Sequence, residues 1–287
     1  MAETIKTKKF TIKIGKKLFD LSQRTYLMGI LNVTPDSFYD GGKFSNLDEA
    51  VKRGTKIAEE GADIIDVGGE STRPGSEPIS LEEELSRVIP VIERLSKEIE
   101  VPLSIDTYKS IVAKKALDSG ASMINDISAL RFDSEMKRIA AQYKIPIVLM
   151  HIKGTPKNMQ DDPYYDDVMK EISSYLKESI RIARDAGIDE DNIIVDPGIG
   201  FGKRLEDNLN VLKSLSMLKI LGKPILVGPS RKSFIGKVLD LPPEERLEGS
   251  LGALAVAIFN GANLVRVHDV KESLRVARLV DAIRKRG

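Results

Sequence analysis

At 287 residues and 41% hydrophobic side chains, the chain has room for one or two domains and ample material for a large core. A formal net charge of +1 argues against a general nucleic-acid binder, and zero cysteines exclude a disulfide framework, a thiol nucleophile and thiolate metal sites. The opening MAETIKTKKF lacks an apolar signal core, and no run approaches the ~18 apolar residues of a membrane span, so a soluble cytoplasmic protein is expected.

Phe10–Leu21 alternates apolar and polar residues around Gly15, the pattern of a β-hairpin placed to plug the far end of a barrel. From Tyr26 a beat sets in of short apolar strand, polar loop and amphipathic helix. The predicted strands are Tyr26–Leu31, Ile64–Val67, Leu103–Ile105, Met123–Ile124, Ile147–Met150, Ile193–Val195, Ile225–Val227 and Leu264–Val267. The predicted helices cover Leu47–Glu60, Leu81–Ile99, Ser110–Asp118, about Ser134–Tyr143, Asp167–Ala186, a stretch ending near Leu218, a helix carrying Gly249–Asn260, and Val270–Arg286. Ser80 and Glu83 have the spacing of a capping box. Eight such units without a linker predict an α/β fold, a single (β/α)8 TIM barrel over residues 1–287. A doubly wound open sheet is the alternative. It more often has a Gly-rich phosphate turn at the first βα junction, which here reads NVTPDSF.

In a parallel barrel the residues that follow each strand meet at one rim. Here they are Asn32, Glu70–Arg73, Asp106, Asn125-Asp126, Met150-His151, Asp196, Ser230–Ser233, Arg266 and His268. Asp106, Asn125 and Asp196 offer acceptors directly after buried strands, where an unpaired carboxylate is costly. A flat heterocycle with a guanidine-like edge of N–H donors would satisfy one bidentately. Arg73, Lys232, Arg266 and His268, with Asn32, have the character of a clamp for an anion or a metal–pyrophosphate. Phe201 and Met150 offer apolar contact for a ring face. Plainer readings hold elsewhere: Gly198–Lys203 lacks GxGxxG spacing, Ser230–Ser233 is no Walker A loop, and Asn32-Val33-Thr34 is a sequon without relevance in a cytosolic chain. His151 reads as a loop residue, Lys109 and Glu70 as structural, and Asp126 leaves a structural role open.

The motifs NVTPDSF, GGESTRPG, SIDTYKS, IND, MHIKGTP, DPGIGFGK, GPSRKSF and RVHDV occur in an order and spacing that resembles the dihydropteroate synthase family from about Leu27 to Val270. The resemblance implies a (β/α)8 barrel, usually a homodimer. Its activity joins 6-hydroxymethyl-7,8-dihydropterin pyrophosphate to p-aminobenzoate, releasing pyrophosphate, in folate synthesis. It implies that Asp106, Asn125, Asp196 and Lys232 hold the pterin, with Met150, Phe201 and Gly228 lining its slot. Asn32, Arg73, Arg266 and His268 would bind pyrophosphate, with Asn32 as a Mg²⁺ ligand. Thr72, Pro74, Ser233 and Phe38 would border p-aminobenzoate. Asp106, Lys232, Arg266 and His268 are the residues expected to carry catalysis, by favouring a cationic pterin and an anionic leaving group as the CH2–O bond breaks. The loops Thr34–Phe44 and Ser71–Ser80 are expected to close over bound ligands. Ile152-Lys153 departs from the Met-Gln pair common in the family. A pterin-dependent methyltransferase and a non-catalytic pterin-binding protein are the competing readings.

Overall fold

The computed structural model describes residues 10–34 and 43–285, with side chains of the first helix from 47 onward. A hairpin of β1 (Thr11–Ile14) and β2 (Lys17–Asp20) precedes eight strands: β3 (Tyr26–Asn32), β4 (Ile64–Gly68), β5 (Leu103–Asp106), β6 (Met123–Asp126), β7 (Ile147–Met150), β8 (Ile193–Asp196), β9 (Leu226–Val227) and β10 (Leu264–Val267). These eight pair in parallel, in the order β8-β7-β6-β5-β4-β3-β10-β9. A bridge between Val195 and Ile225, with the Val195 N–H donating to Pro224 O at 3.0 Å, joins the two ends into a closed barrel. Closure leaves no edge for an open doubly wound sheet.

Alternation along each strand sorts the side chains. Outward residues such as Leu27, Ile65, Ile105, Leu149 and Val265 join the layer buried under the helices. Inward residues Met28, Ile64, Met123, Val148, Ile194, Leu226 and Leu264 pack with Ile12, Ile14, Phe19 and Leu21 of the hairpin. The hairpin therefore plugs the barrel's amino-terminal end, and the apolar filling stops halfway up.

Helices α1 (Lys43–Glu59), α2 (Leu81–Glu98), α3 (Ser110–Asp118), α4 (Met136–Tyr143), α5 (Val168–Asp185), α6 (Leu205–Lys213), α7 (Ser233–Leu239), α8 (Leu247–Phe259) and α9 (Val270–Arg284) follow the strands. The Asp167 carboxylate caps α5 by accepting from the Met169 and Lys170 amides, each at 3.1 Å. At α2 only half of the expected capping box forms: Ser80 Oγ accepts from the Glu83 amide, while the Glu83 carboxylate pairs with Arg87. The stretch expected to stay helical to Leu218 breaks at Ser214 and becomes a 3-10 segment, Leu215–Leu221, ended by left-handed Gly222. Pro242 and Pro243, which lack an amide proton, divide the segment before Gly249 into α7 and α8.

Several strands run further than expected, taking in Asn32, Asp106, Asn125, Asp126 and Asp196. As strand residues, these obey the in–out alternation, and that decides which of them reach the cavity.

Candidate active site

Above the apolar plug, the inward positions change to Asn32, Asp66, Ser104, Asp106, Asn125, Met150, Asp196, Gly228 and Arg266. Arg266 crosses the barrel. Its Nε donates to Asp66 Oδ2 at 2.6 Å and its Nη2 to Asp106 Oδ2 at 2.6 Å. Asn125 Nδ2 donates to the same Asp66 oxygen at 2.9 Å. Asp66 Oδ1, Asp106 Oδ1 and Ser104 Oγ are buried with no hydrogen-bond partner among the described residues. Native interiors rarely leave such atoms unmet, so this cluster calls for donors from a ligand.

The charges follow from this enclosure. Burial pushes the Asp106 carboxyl up to about 7, with Arg266 opposing the rise. Burial likewise raises Asp196 to about 6, opposed by the Gly198 amide, which donates to Asp196 Oδ1 at 2.7 Å, and by Lys232. Lys232 is pushed down to about 8 by burial and by Arg266, while Asp196 and Asp106 favour its charge. Its Nζ lies 4.1 Å from the centre of the Phe201 ring. Phe201, Met150, Ile127, Ile152 and Met159 form an apolar cluster beside the polar layer. One wall is thus apolar and the adjoining wall carries acceptors.

His268 follows Arg266 at the end of β10. Burial and Arg266 drive its imidazole down to about 3, so it is neutral near pH 7. Its Nδ1 lies 3.0 Å from Ser230 Oγ, which also accepts the His268 amide at 3.2 Å. That pairing favours the tautomer with Nε2 protonated, a donor that no described residue engages. Arg231 holds the loops after β9 and β10 together through two contacts with Asp269, at 2.9 and 2.7 Å.

The loop after β8 needs its glycines. Gly198, Gly200 and Gly202 have φ of +69°, +80° and +61°, and a Cβ on Gly198 would collide with His151 O. Lys203 fastens the loop from below, donating to Gly198 O at 2.8 Å and Phe201 O at 3.1 Å, with its Nζ 2.9 Å from His151 Nδ1.

The predicted residues thus separate into depths. Asp106, Asn125, Met150, Asp196, Phe201, Gly228, Lys232, Arg266 and His268 surround one cavity at the carboxyl ends of the strands. Asn32 is half-buried on the same inner face. Thr72 is half-buried, and Arg73, Pro74 and Ser233 are exposed at the mouth. Arg73 still bears on the cavity, since its charge lowers the proton affinity of Lys232. Phe38 and most of the loop around it lie outside the described residues. Asp126 points outward and accepts from the Ser128 amide, Ser128 Oγ and the Leu130 amide at 2.7–2.8 Å, a structural arrangement. Lys109 pairs with Glu70 at 2.6 Å and Glu84 at 2.7 Å, tying the loop after β4 to that after β5.

Asp66 and Lys203 are the residues that the strand-end reading missed. Asp66 lies inside a strand rather than after it; its signal was an acid two positions from inward-facing Ile64. Lys203 had no signal beyond its place at the end of a Gly-rich loop.

The sequence pattern described as "Pterin binding enzyme" matches residues 28–268. A dihydropteroate synthase of Clostridium beijerinckii is 51% identical over 276 residues, 96% of this chain and 100% of that protein. One from Bacillus subtilis is 51% identical over 92% of this chain and 90% of that protein. Among solved structures, Yersinia pestis dihydropteroate synthase with a sulfonamide drug superposes with a TM-score of 0.90 at 44% identity, covering 96% of this chain and 99% of that one. Xanthomonas albilineans dihydropteroate synthase in complex with 7,8-dihydropteroate gives 0.86 at 42%, covering 96% and 98%. A closed eight-stranded barrel, an acceptor-lined cavity and this identity over nearly the whole length agree: the chain belongs to the pterin-binding enzyme family, as one of its dihydropteroate synthases.

Proposed function

We propose that this cavity condenses 6-hydroxymethyl-7,8-dihydropterin pyrophosphate with p-aminobenzoate, giving 7,8-dihydropteroate and pyrophosphate. The observation that carries the reading is the buried polar layer itself, with unmet acceptors on β4 and β5 beside the cations Arg266 and Lys232. A pterin carries an amidine-like edge of N–H donors and a flat face, which match Asp196 and Asn125 on one side and Met150 and Phe201 on the other. Its pyrophosphate then lies toward Arg266, His268 and Arg73. An arylamine nucleophile needs no strong base, so the demanding step is cleavage of the CH2–O bond. Asp106 and Asp196 favour positive charge on the pterin ring, while Arg266, the Nε2–H of His268 and Lys232 favour negative charge on the departing group. Thr72, Pro74 and Ser233, at the mouth, border p-aminobenzoate, the seat that a sulfonamide would contest.

Asn32 suits a Mg²⁺ ion that arrives with pyrophosphate. Among the described residues no group of three acidic or imidazole side chains could hold a resident ion. Gly68, however, leaves a notch: a Cβ there would lie 3.8 Å from Asn32 Oδ1 and 3.5 Å from Asp106 Oδ2. Mg²⁺ commonly takes one or two protein oxygens and completes its shell with phosphate and water. When bound, the ion would neutralise charge on the leaving pyrophosphate.

The reading extends to assembly and location. Val238 and Leu239 of α7, Val256 and Phe259 of α8, and Leu279 and Ile283 of α9 are exposed, an apolar face that supports a homodimer. Sedimentation at twice the chain mass is the expected result; a monomer at micromolar concentration would exclude it. No helix among the described residues is long and apolar enough to cross a membrane, which accords with a cytoplasmic enzyme acting on small molecules.

Pyrophosphate release should require both substrates and fall at least about a hundredfold when EDTA removes Mg²⁺. Release of pyrophosphate without coupling to p-aminobenzoate, or transfer of a methyl group from a methylated folate, would overturn the assignment.

A further inference from the structure

Asp66 is fully buried, and its Oδ2 receives two donors from strands two places away on either side: Asn125 Nδ2 from β6 and Arg266 Nε from β10. Arg266 Nε, which can only donate, is already directed at that Asp66 oxygen, so the oxygen serves as an acceptor. The Asn125 atom facing it must therefore be the amide nitrogen. The carbonyl oxygen takes the other branch of the carboxamide, and no hydrogen bond from the described residues reaches it. Left to itself, a carboxamide can turn over at little cost, changing an acceptor into a donor.

We infer that Asp66 is a positioning and specificity-determining residue: by engaging Asn125 Nδ2 it keeps the Asn125 carbonyl oxygen turned to the bound pterin, so that the site selects a heterocycle with N–H donors at that edge. This rests on the proposed pterin seat and adds a cause for its selectivity. Asp66 acts through Asn125, and through Arg266 it aligns the same layer from the opposite side. Because its second oxygen has no partner among the described residues, a saturated structural network does not account for its placement.

The decisive probes are 6-hydroxymethylpterin and its 2-oxo counterpart, which lacks the exocyclic amine, titrated calorimetrically into the full-length protein. The parent should bind the 2-amino compound far more tightly. D66A should weaken that binding about tenfold and narrow the preference over the 2-oxo compound by about tenfold, since the carboxamide is free to turn. N125D sets two carboxylates against each other and should also lose about tenfold or more. D66N keeps an oxygen that accepts from both Asn125 Nδ2 and Arg266 Nε and should hold affinity to within about threefold of the parent. If D66A does not fold, D66N set against N125D carries the test. D66A within twofold of the parent for both compounds, or D66N no better than N125D, would overturn the positioning role. A parent protein that binds neither compound would instead overturn the pterin seat.

Discussion

Replacing Arg266 with methionine will lower kcat/KM for the pterin substrate by about three orders of magnitude and destabilise the fold in a pH-dependent way. Methionine fills much of the space but removes the cation that bridges Asp66 and Asp106. Removing one partner of a buried ion pair commonly costs about 3–5 kcal/mol, because the other charge stays behind. Part of that cost is relieved by protonation. The Asp106 carboxyl is raised to about 7 in the folded protein, above its ordinary value of 3.8, so its stabilising contribution is complete at acid pH and is lost as pH rises through about 7. Arg266 holds that value down; without it the folded-state value rises further. The thermal midpoints of parent and variant should therefore diverge more above neutrality than below it. R266K, which keeps charge but not the two-sided geometry, should fall between them. Thermal unfolding across the neutral range, alongside pyrophosphate release, checks both halves. A variant with a pH-independent deficit and less than a tenfold loss of activity would contradict the bridge.

Asp196→Asn should cost about 10³–10⁴ in kcat/KM for the pterin substrate and leave the KM for p-aminobenzoate nearly unchanged. The reason lies in the Gly198 amide, which donates to Asp196 Oδ1 at 2.7 Å and would fix the new side chain's oxygen. The new amide nitrogen is then turned to the ligand, donor against donor. A site built to pair a polar edge rejects a mismatched one strongly because buried groups on both sides go unmet. Asp196 is raised to about 6, and Asp106 to about 7, so the parent should lose pterin affinity as pH falls through this interval and both carboxylates protonate. In D196N, one of these two protonations is gone and the acid limb should be shallower. Steady-state kinetics with each substrate varied in turn, repeated across pH, gives the answer. A KM increase shared by both substrates would point to a distorted barrel instead.

The eight-unit beat, the hairpin around Gly15 and the polar enrichment after each strand were legible because they depend on local chemistry. Apolar runs of strand length, glycine and proline turns, and amphipathic helix spacing each report on a few adjacent residues. The same locality explains the misplaced boundaries. A strand was expected to stop before Asn125, yet hydrogen bonding to β5 and β7 carries it through Asp126. With that extension, alternation sends Asn125 into the cavity and Asp126 outward to Ser128 and Leu130, a division that adjacent polar letters cannot reveal. Asp66 escaped the strand-end reading for the opposite reason: it looked like the polar member of an apolar strand.

The sequence by itself determined the fold class, the family resemblance and the identity of most groups around the cavity, since composition, spacing and motif order are properties of the chain alone. Tertiary structure decided how those groups are charged and joined. The Arg266 bridge spans 200 residues to Asp66 and 160 to Asp106. Such pairings, and the burial that shifts Asp106, Asp196, Lys232 and His268, exist only once barrel closure removes water and brings distant strands within hydrogen-bonding reach.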